Sequence, residues 1–336
     1  GETGVDHMTT RRELLIALGA GVLAAPRVAI AQQQPAKVPR IGFLTFAFLS
    51  AVSARIEAFR QGLRELGYVE GKNIVIEWRH AEGKLDRLPA LAAELVRLKV
   101  DIIVSTGPTV TRAAKGETTT IPIVMAFDTD PVGNGFVASL ARPGGNITGL
   151  SGLSPELSGK QLELLKEIVP SLSRVAVLRT STRPGTAQEL KEIELAAGAF
   201  KVKLQYLDIL DLKDIETAFR AASKERADAV LVLASTVAAA HRKELAELAI
   251  KSRLPAIYFR PDFVVDGGLM SYGASFTDMD RRVATYLDKI LKGRTPADLP
   301  VEQPIKFEFI VNLKAAKQIG LTIPPNVLAR ADKVIK

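Results

Sequence analysis

Thr106 and Thr109 flank a glycine–proline turn in the stretch STGPTVTRAAK (105–115). An apolar run of strand character, from Asp101 to Ser105, leads into the turn, and a helical pattern comes after it. A strand, a glycine turn and a helix start with free N–H groups can hold an anion. With the two hydroxyls added, Thr106, Gly107 and Thr109 are candidates to hold a carboxylate without any charged residue. Alternatively, Thr109 caps its own helix. A phosphate is less well served, because no Gly-x-Gly-x-x-Gly and no Gly-Lys-Ser/Thr occurs.

Two carboxylates come next in FDTDP, at Asp128 and Asp130. Asp128, nearer the end of its apolar run, is the candidate for a ligand ammonium, and Asp130 for capping a helix that starts near Pro131. An Asp-x-Asp metal site lacks clustered further ligands, and three scattered histidines with no cysteine offer none. No metal or cofactor is expected. Of 19 aromatic residues, Phe46, Phe48, Trp78, Phe127, Tyr258, Phe259 and Tyr272 lie at or beside the ends of strand-like runs. Such a crowd suits a flat apolar ligand, although alternate strand residues must point into the core. Phe46, Phe48 and Tyr258 are the ligand candidates, with Thr180, Ser181, Ser235, Thr236 and Gly273 as polar or close-approach positions in the second half. An enzyme would need a nucleophile with a base, or a cofactor motif. No Gly-x-Ser-x-Gly elbow and no cysteine occurs, so a hydrolase-like enzyme is the alternative rather than the main reading.

The elements that would position these residues alternate. VPRIGFLT, NIVIEWR, DIIVSTG and IPIVMAF read as strands, separated by helical patterns such as SARIEAFRQGLREL and DRLPALAAELVRLK. Strands alternating with helices mean a parallel sheet covered on both faces. The order then repeats. SRVAVLRT (173–180) answers PRIGFLT, and FRAASKERADAVLVLAST answers LVRLKVDIIVSTG, with Asp228 in the place of Asp101. Pro255 stands in the place of Pro122, and GGLMSYG answers GNITGLS. The fold class is therefore α/β, with two doubly wound parallel-sheet lobes joined by a hinge around a central ligand cleft. The expected divisions are a first lobe at 38–145, a hinge crossing at 146–153, a second lobe at 154–272, and a tail at 273–336. The tail begins with a helix of the second lobe and then returns across the hinge. Asn312 caps its last helix and Gly320 ends it.

Residues 1–7 read as a leader, and 8–31 as an export signal with a basic start, an apolar core from Leu14 to Ala25 and small residues at Ala29 and Ala31. Arg11-Arg12 opens the twin-arginine route beside the general one. Either places the mature chain in the periplasm, with no stable membrane insertion. The net charge of +8 is spread along helices and interleaved with acids, which argues against nucleic acid as a partner.

The export signal, the duplicated lobes and the C-terminal stretches KILKGRTPADLPVEQP and NLKAAKQIGLTIP together resemble the periplasmic substrate-binding proteins of ABC transporters. More narrowly they resemble the type 1 family that includes tryptophan- and tyrosine-binding members. The resemblance implies a receptor that closes on a small solute and delivers it to a permease. The ligand expected is an aromatic or other hydrophobic amino acid, or a related aromatic carboxylate. A ligand-sensing domain of a regulator shares the bilobed design, but would carry a DNA-binding segment in front rather than an export signal.

Overall fold

The computed structural model describes residues 38–183 and 186–336, so the leader and export signal expected at 1–31 lie outside the described residues. The first sheet is built from β1 (Arg40–Thr45), β2 (Val75–His80), β3 (Ile102–Thr106), β4 (Ile123–Asp128) and β5 (Ile147–Ser151). Its order is β2-β1-β3-β4-β5, with every pairing parallel. Helices α1 (Ser53–Glu65), α2 (Leu88–Arg97) and α3 (Pro108–Glu117) cover it. The inner strands β1, β3 and β4 are almost wholly buried and mostly apolar, because both faces are covered.

The second lobe starts with α4 (Ser154–Ile168), then β6 (Arg174–Arg179), α5 (Thr186–Phe200), β7 (Lys203–Asp208), α6 (Leu212–Lys224) and β8 (Ala229–Val232). It continues through α7 (Thr236–Ala240), α8 (Arg242–Lys251), β9 (Ala256–Tyr258), α9 (Pro261–Val265) and β10 (Met270–Ala274). From β7 inward the sheet runs β7-β6-β8-β9-β10, the same order as the first sheet. The repetition extends to single hydrogen bonds. The Asp101 carboxylate accepts from the Arg40 N–H at 2.8 Å, and Asp228 accepts from the Arg174 N–H at 2.9 Å. The Pro122 and Pro255 carbonyls accept from Ile103 and Val230, each at 2.8 Å.

After β10 the chain departs from the sequence expectation. Helix α10 (Phe276–Leu291) is expected in the second lobe but packs on the first, against α1, β4 and β5. Met279, Val283, Tyr286 and Leu287 share one core with Phe43, Phe59 and Val104. The reason is the apolar stripe of α10, which needs an uncovered sheet face, and the first sheet supplies one. Residues 301–302 then run beside β5, where the Ser151 N–H donates to the Glu302 carbonyl at 2.9 Å. Strand β11 (Phe307–Asn312) returns to the second sheet antiparallel to β10, followed by α11 (Leu313–Ile319), α12 (Pro325–Leu328) and β12 (Lys333–Ile335). Asn312 caps α11 by accepting from the Ala315 N–H at 3.1 Å, and Gly320 ends it at φ 75°.

The chain thus passes between lobes at Gly152–Leu153, at Ser275 and at 303–306. β5 occupies most of the stretch expected as the hinge, so that crossing is shorter than 146–153. The last two crossings are tied together, because the Ser275 N–H donates to the Lys306 carbonyl at 2.9 Å and its hydroxyl to Glu308 Oε1 at 2.5 Å. No helix among the described residues is long and apolar enough to cross a membrane.

Candidate functional site

In open parallel sheets, side chains beyond the carboxyl ends of the strands are not used up by the core and can meet a ligand. Here both sheets aim those ends at one small cleft that opens to solvent. From the first lobe come Arg55 past β1, Thr106, Gly107 and Thr109 past β3, and Phe127 and Thr129 at the end of β4. From the second lobe come Arg183 past β6, Ser235 and Thr236 past β8, and Phe259 and Arg260 past β9. Phe276, the first residue of α10, closes the set.

The polar side of the cavity is made by backbone geometry. Gly107 has φ 110° and ψ 163°, a conformation that side chains resist, and it turns β3 directly into α3. Pro108 sits at the first helical position, where its missing N–H costs nothing. No side chain caps α3, so the Thr109 hydroxyl is not used as a cap. Thr106 makes only a long bond of 3.4 Å, to the Leu44 carbonyl. Across the cleft, Ser235 caps α7 by accepting from the Ala238 N–H at 2.9 Å.

The aromatic side is Phe127, Phe259 and Phe276. Phe127 and Phe276 lie 4.7 Å apart, tilted by 47°. Gly152, at the first crossing, leaves room for Phe127, since a Cβ there would come within 2.0 Å of its ring. Two guanidinium groups lie over the Phe276 ring, Arg55 at 4.8 Å and Arg260 at 5.6 Å from its centroid. Asp280 on α10 holds Arg55 in a two-pronged pair, at 2.5 and 3.2 Å. Burial lowers the pKa of Arg55, and Asp280 more than restores it. Arg260 donates to Asp262 at 2.7 Å, while its Nε is buried without a hydrogen-bond partner. Burial pulls its pKa below the usual guanidinium range. Arg183 pairs with Glu189, both almost fully buried, and burial pushes the Glu189 carboxyl up to about 7.

Of the sequence candidates, Thr106, Gly107, Thr109, Ser235 and Thr236 come together in this cavity. Gly273 lies beside it, in a separate small pocket that Phe127, Phe259 and Phe276 also line. The others do not line it. Phe46 packs in the core of the first lobe with Leu44, Leu88 and Val110. Tyr258 is buried in the second lobe, stacked on Phe263 at 4.6 Å. Strand alternation explains this: Tyr258 faces inward, and the next residue, Phe259, opens to the cleft. Phe48 is 52% exposed. The Thr180 hydroxyl is buried and donates to the Ile209 carbonyl, and Ser181 is exposed beside Asp208.

Asp128 is also corrected. It is fully buried, and its Oδ1 accepts from the Asn134 side chain at 2.6 Å and from the Asp130 N–H at 3.0 Å. It holds the turn after β4 rather than facing the cavity, and burial raises its carboxyl to about 7. No helix begins at Pro131; Asp130 ties the same turn through the Gly133 N–H at 2.9 Å. Arg55, Arg183 and Phe276 are not reached by the sequence reasoning. Phe276 had a signal, because it follows a strand end in GASF, the rule used elsewhere. Arg55 had none, because its partner Asp280 is 225 residues away.

Comparison with known proteins agrees with this geometry. A profile for ABC transporter substrate binding proteins matches residues 41–335. A tyrosine-binding protein of Clostridioides difficile (strain R20291) is 25% identical over 266 residues, covering 79% of this chain and 76% of that protein. Among solved structures, a conserved domain protein of Vibrio cholerae superposes with a TM-score of 0.84 at 29% identity, covering 89% of this chain and 100% of the other. An ABC domain of Streptococcus pneumoniae in complex with L-Trp gives 0.83 at 26% identity, over 88% and 99%. With two lobes of type 1 topology and a match over nearly all the described residues, the chain belongs to the family of ABC transporter substrate-binding proteins.

Proposed function

We propose that this chain is the extracytoplasmic receptor of an ABC importer, closing about its hinge on a small carboxylate-bearing solute with an aromatic or apolar body and delivering it to a permease. The observation that carries the reading is the composition of the cavity. Hydroxyls and guanidinium groups line it together with three phenylalanine rings, and all come from the facing strand ends of two lobes. A polar end and a flat apolar end are therefore met at once. The tyrosine-binding relative and the L-Trp complex support an aromatic ligand. The apolar segment of the export signal supports a place outside the cytoplasm. Closure is driven only by the ligand's greater affinity for the closed form.

The test is a panel of aromatic amino acids, aromatic carboxylates, branched amino acids and dipeptides, followed by calorimetry and thermal melting. A true ligand at about one hundred times its Kd adds about 2.7 kcal/mol of stability. For a protein of this size that raises Tm by about 4 °C. Absence of both heat and shift across the whole panel refutes the reading.

A further inference from the structure

The cavity is one-sided in charge. Arg55, Arg183 and Arg260 line it, and none of the described residues lining it is acidic. Three of the nearby carboxylates are already engaged in ion pairs. Asp280 is held by Arg55, Asp262 by Arg260, and Glu189 by Arg183. Asp128, the sequence candidate for an amino group, is turned into its own loop. A carboxylate, by contrast, has a ready partner in Arg260. That side chain is 9% exposed, and its buried Nε–H has no acceptor. Arg260 and Arg55 also lie against the same Phe276 ring, which gathers positive charge beside the aromatic end of the cavity.

We propose that the cleft prefers an aromatic monocarboxylate lacking an α-ammonium group over the corresponding amino acid, with Arg260 taking the carboxylate and Phe127, Phe259 and Phe276 receiving the ring. This rests on the reading of the cleft as a receptor for a carboxylate-bearing solute. The discrimination is built from repulsion as well as attraction. An α-ammonium entering this site would shed its water beside guanidinium groups, with no carboxylate among the residues that line it. A deaminated acid keeps the anchor and omits that cost. The hydroxyls of Thr106, Thr109 and Thr236 complete the carboxylate's hydrogen bonds without adding charge.

The test is a set of matched titrations by calorimetry on the intact protein: 3-phenylpropanoate against L-phenylalanine, 3-(4-hydroxyphenyl)propanoate against L-tyrosine, and indole-3-propanoate against L-tryptophan. The expected result is that the acid binds about tenfold or more tightly in at least one pair. An amino acid that binds as tightly as its acid in every pair, or more tightly, overturns the inference and leaves the receptor reading standing. Heat from neither member of any pair overturns both. Arg260→Gln is the second arm. It is expected to weaken the acid about tenfold or more and to bring the ratio within each pair toward one. The amino acid, which loses the same anchor but is also freed of repulsion between Arg260 and its ammonium, should weaken less, and an unchanged ratio overturns Arg260 as the source of the discrimination. Because the comparison on the unmodified protein stands alone, the test survives failure of the variant to fold.

Discussion

Asp128→Asn isolates one buried charge. The carboxyl is fully buried, and only its Oδ1 is hydrogen-bonded; Oδ2 has no partner. Its pKa is raised from 3.8 to about 7, chiefly by burial. A raised carboxyl stabilises the fold most below its unfolded pKa and loses that contribution as pH rises through the folded one. At 1.36 kcal/mol for each pKa unit, the raised carboxyl costs the fold about 4 kcal/mol near pH 8, where it is ionised, and about 2 kcal/mol near pH 5, where it must take up a proton on folding. Asparagine keeps the accepting oxygen for Asn134 and Asp130 and removes the charge. Its new amide N–H takes the unpartnered position, at about 1–3 kcal/mol. The variant is therefore expected to be more stable than the parent by about 1–3 kcal/mol near pH 8, and close to it near pH 5. Urea unfolding of both proteins at the two pH values measures this. Glu189 titrates in the same direction in both proteins, so only the difference between them is diagnostic. An equal difference at the two pH values, or a loss of stability near pH 8, refutes the reasoning. Ligand affinity should not change, because Asp128 does not line the cavity.

Three further variants probe the frame of the cleft. Gly107→Ala places a Cβ in open space, so its cost is backbone strain at φ 110°, about 1–3 kcal/mol in urea unfolding, together with weaker ligand binding. Gly152→Ala forces Phe127 to move, since the Cβ would lie 2.0 Å from its ring; about 1–3 kcal/mol of stability should go, and calorimetry should show lower affinity for any aromatic ligand. Asp280→Asn leaves Arg55 without its two-pronged partner in a site where the carboxylate is 2% exposed, and a loss of about 3–5 kcal/mol is expected on chemical denaturation.

Legibility in the sequence tracks the range of the forces involved. The lobes were legible because each strand and helix carries its own period, and the duplication wrote every signal twice. Asp101 and Asp228 pair on spacing alone, and both prove to hold the first N–H groups of their neighbouring strands. The threonine turn was legible for the same reason, being wholly local. The aromatics were half legible. Strand ends could be located, but a one-residue uncertainty in phase exchanges Tyr258 for Phe259, which is the difference between core and cleft. The position of α10 was not legible, because its apolar stripe fits either sheet and only tertiary packing decides between them.

The placement of α10 on the first lobe bears on how closure can be coupled to the ligand. The helix brings Phe276 and Asp280 with it, whereas Arg260 is carried by the second lobe. Phe276 is thus the place where guanidinium groups from the two lobes approach one another. Arg55 is among the groups that lower the pKa of Arg260, after burial and against the pull of Asp262. An anion bound there would meet positive charge contributed by both lobes. Under the proposed anchoring, the ligand's carboxylate gains both contributions only when both lobes are in place. Its differential affinity for the closed form, the quantity that drives hinge motion, would then arise at this junction. The threonine turn at 106–109 would contact the ligand from the first lobe alone, and so would contribute to capture in either state and little to the preference between them.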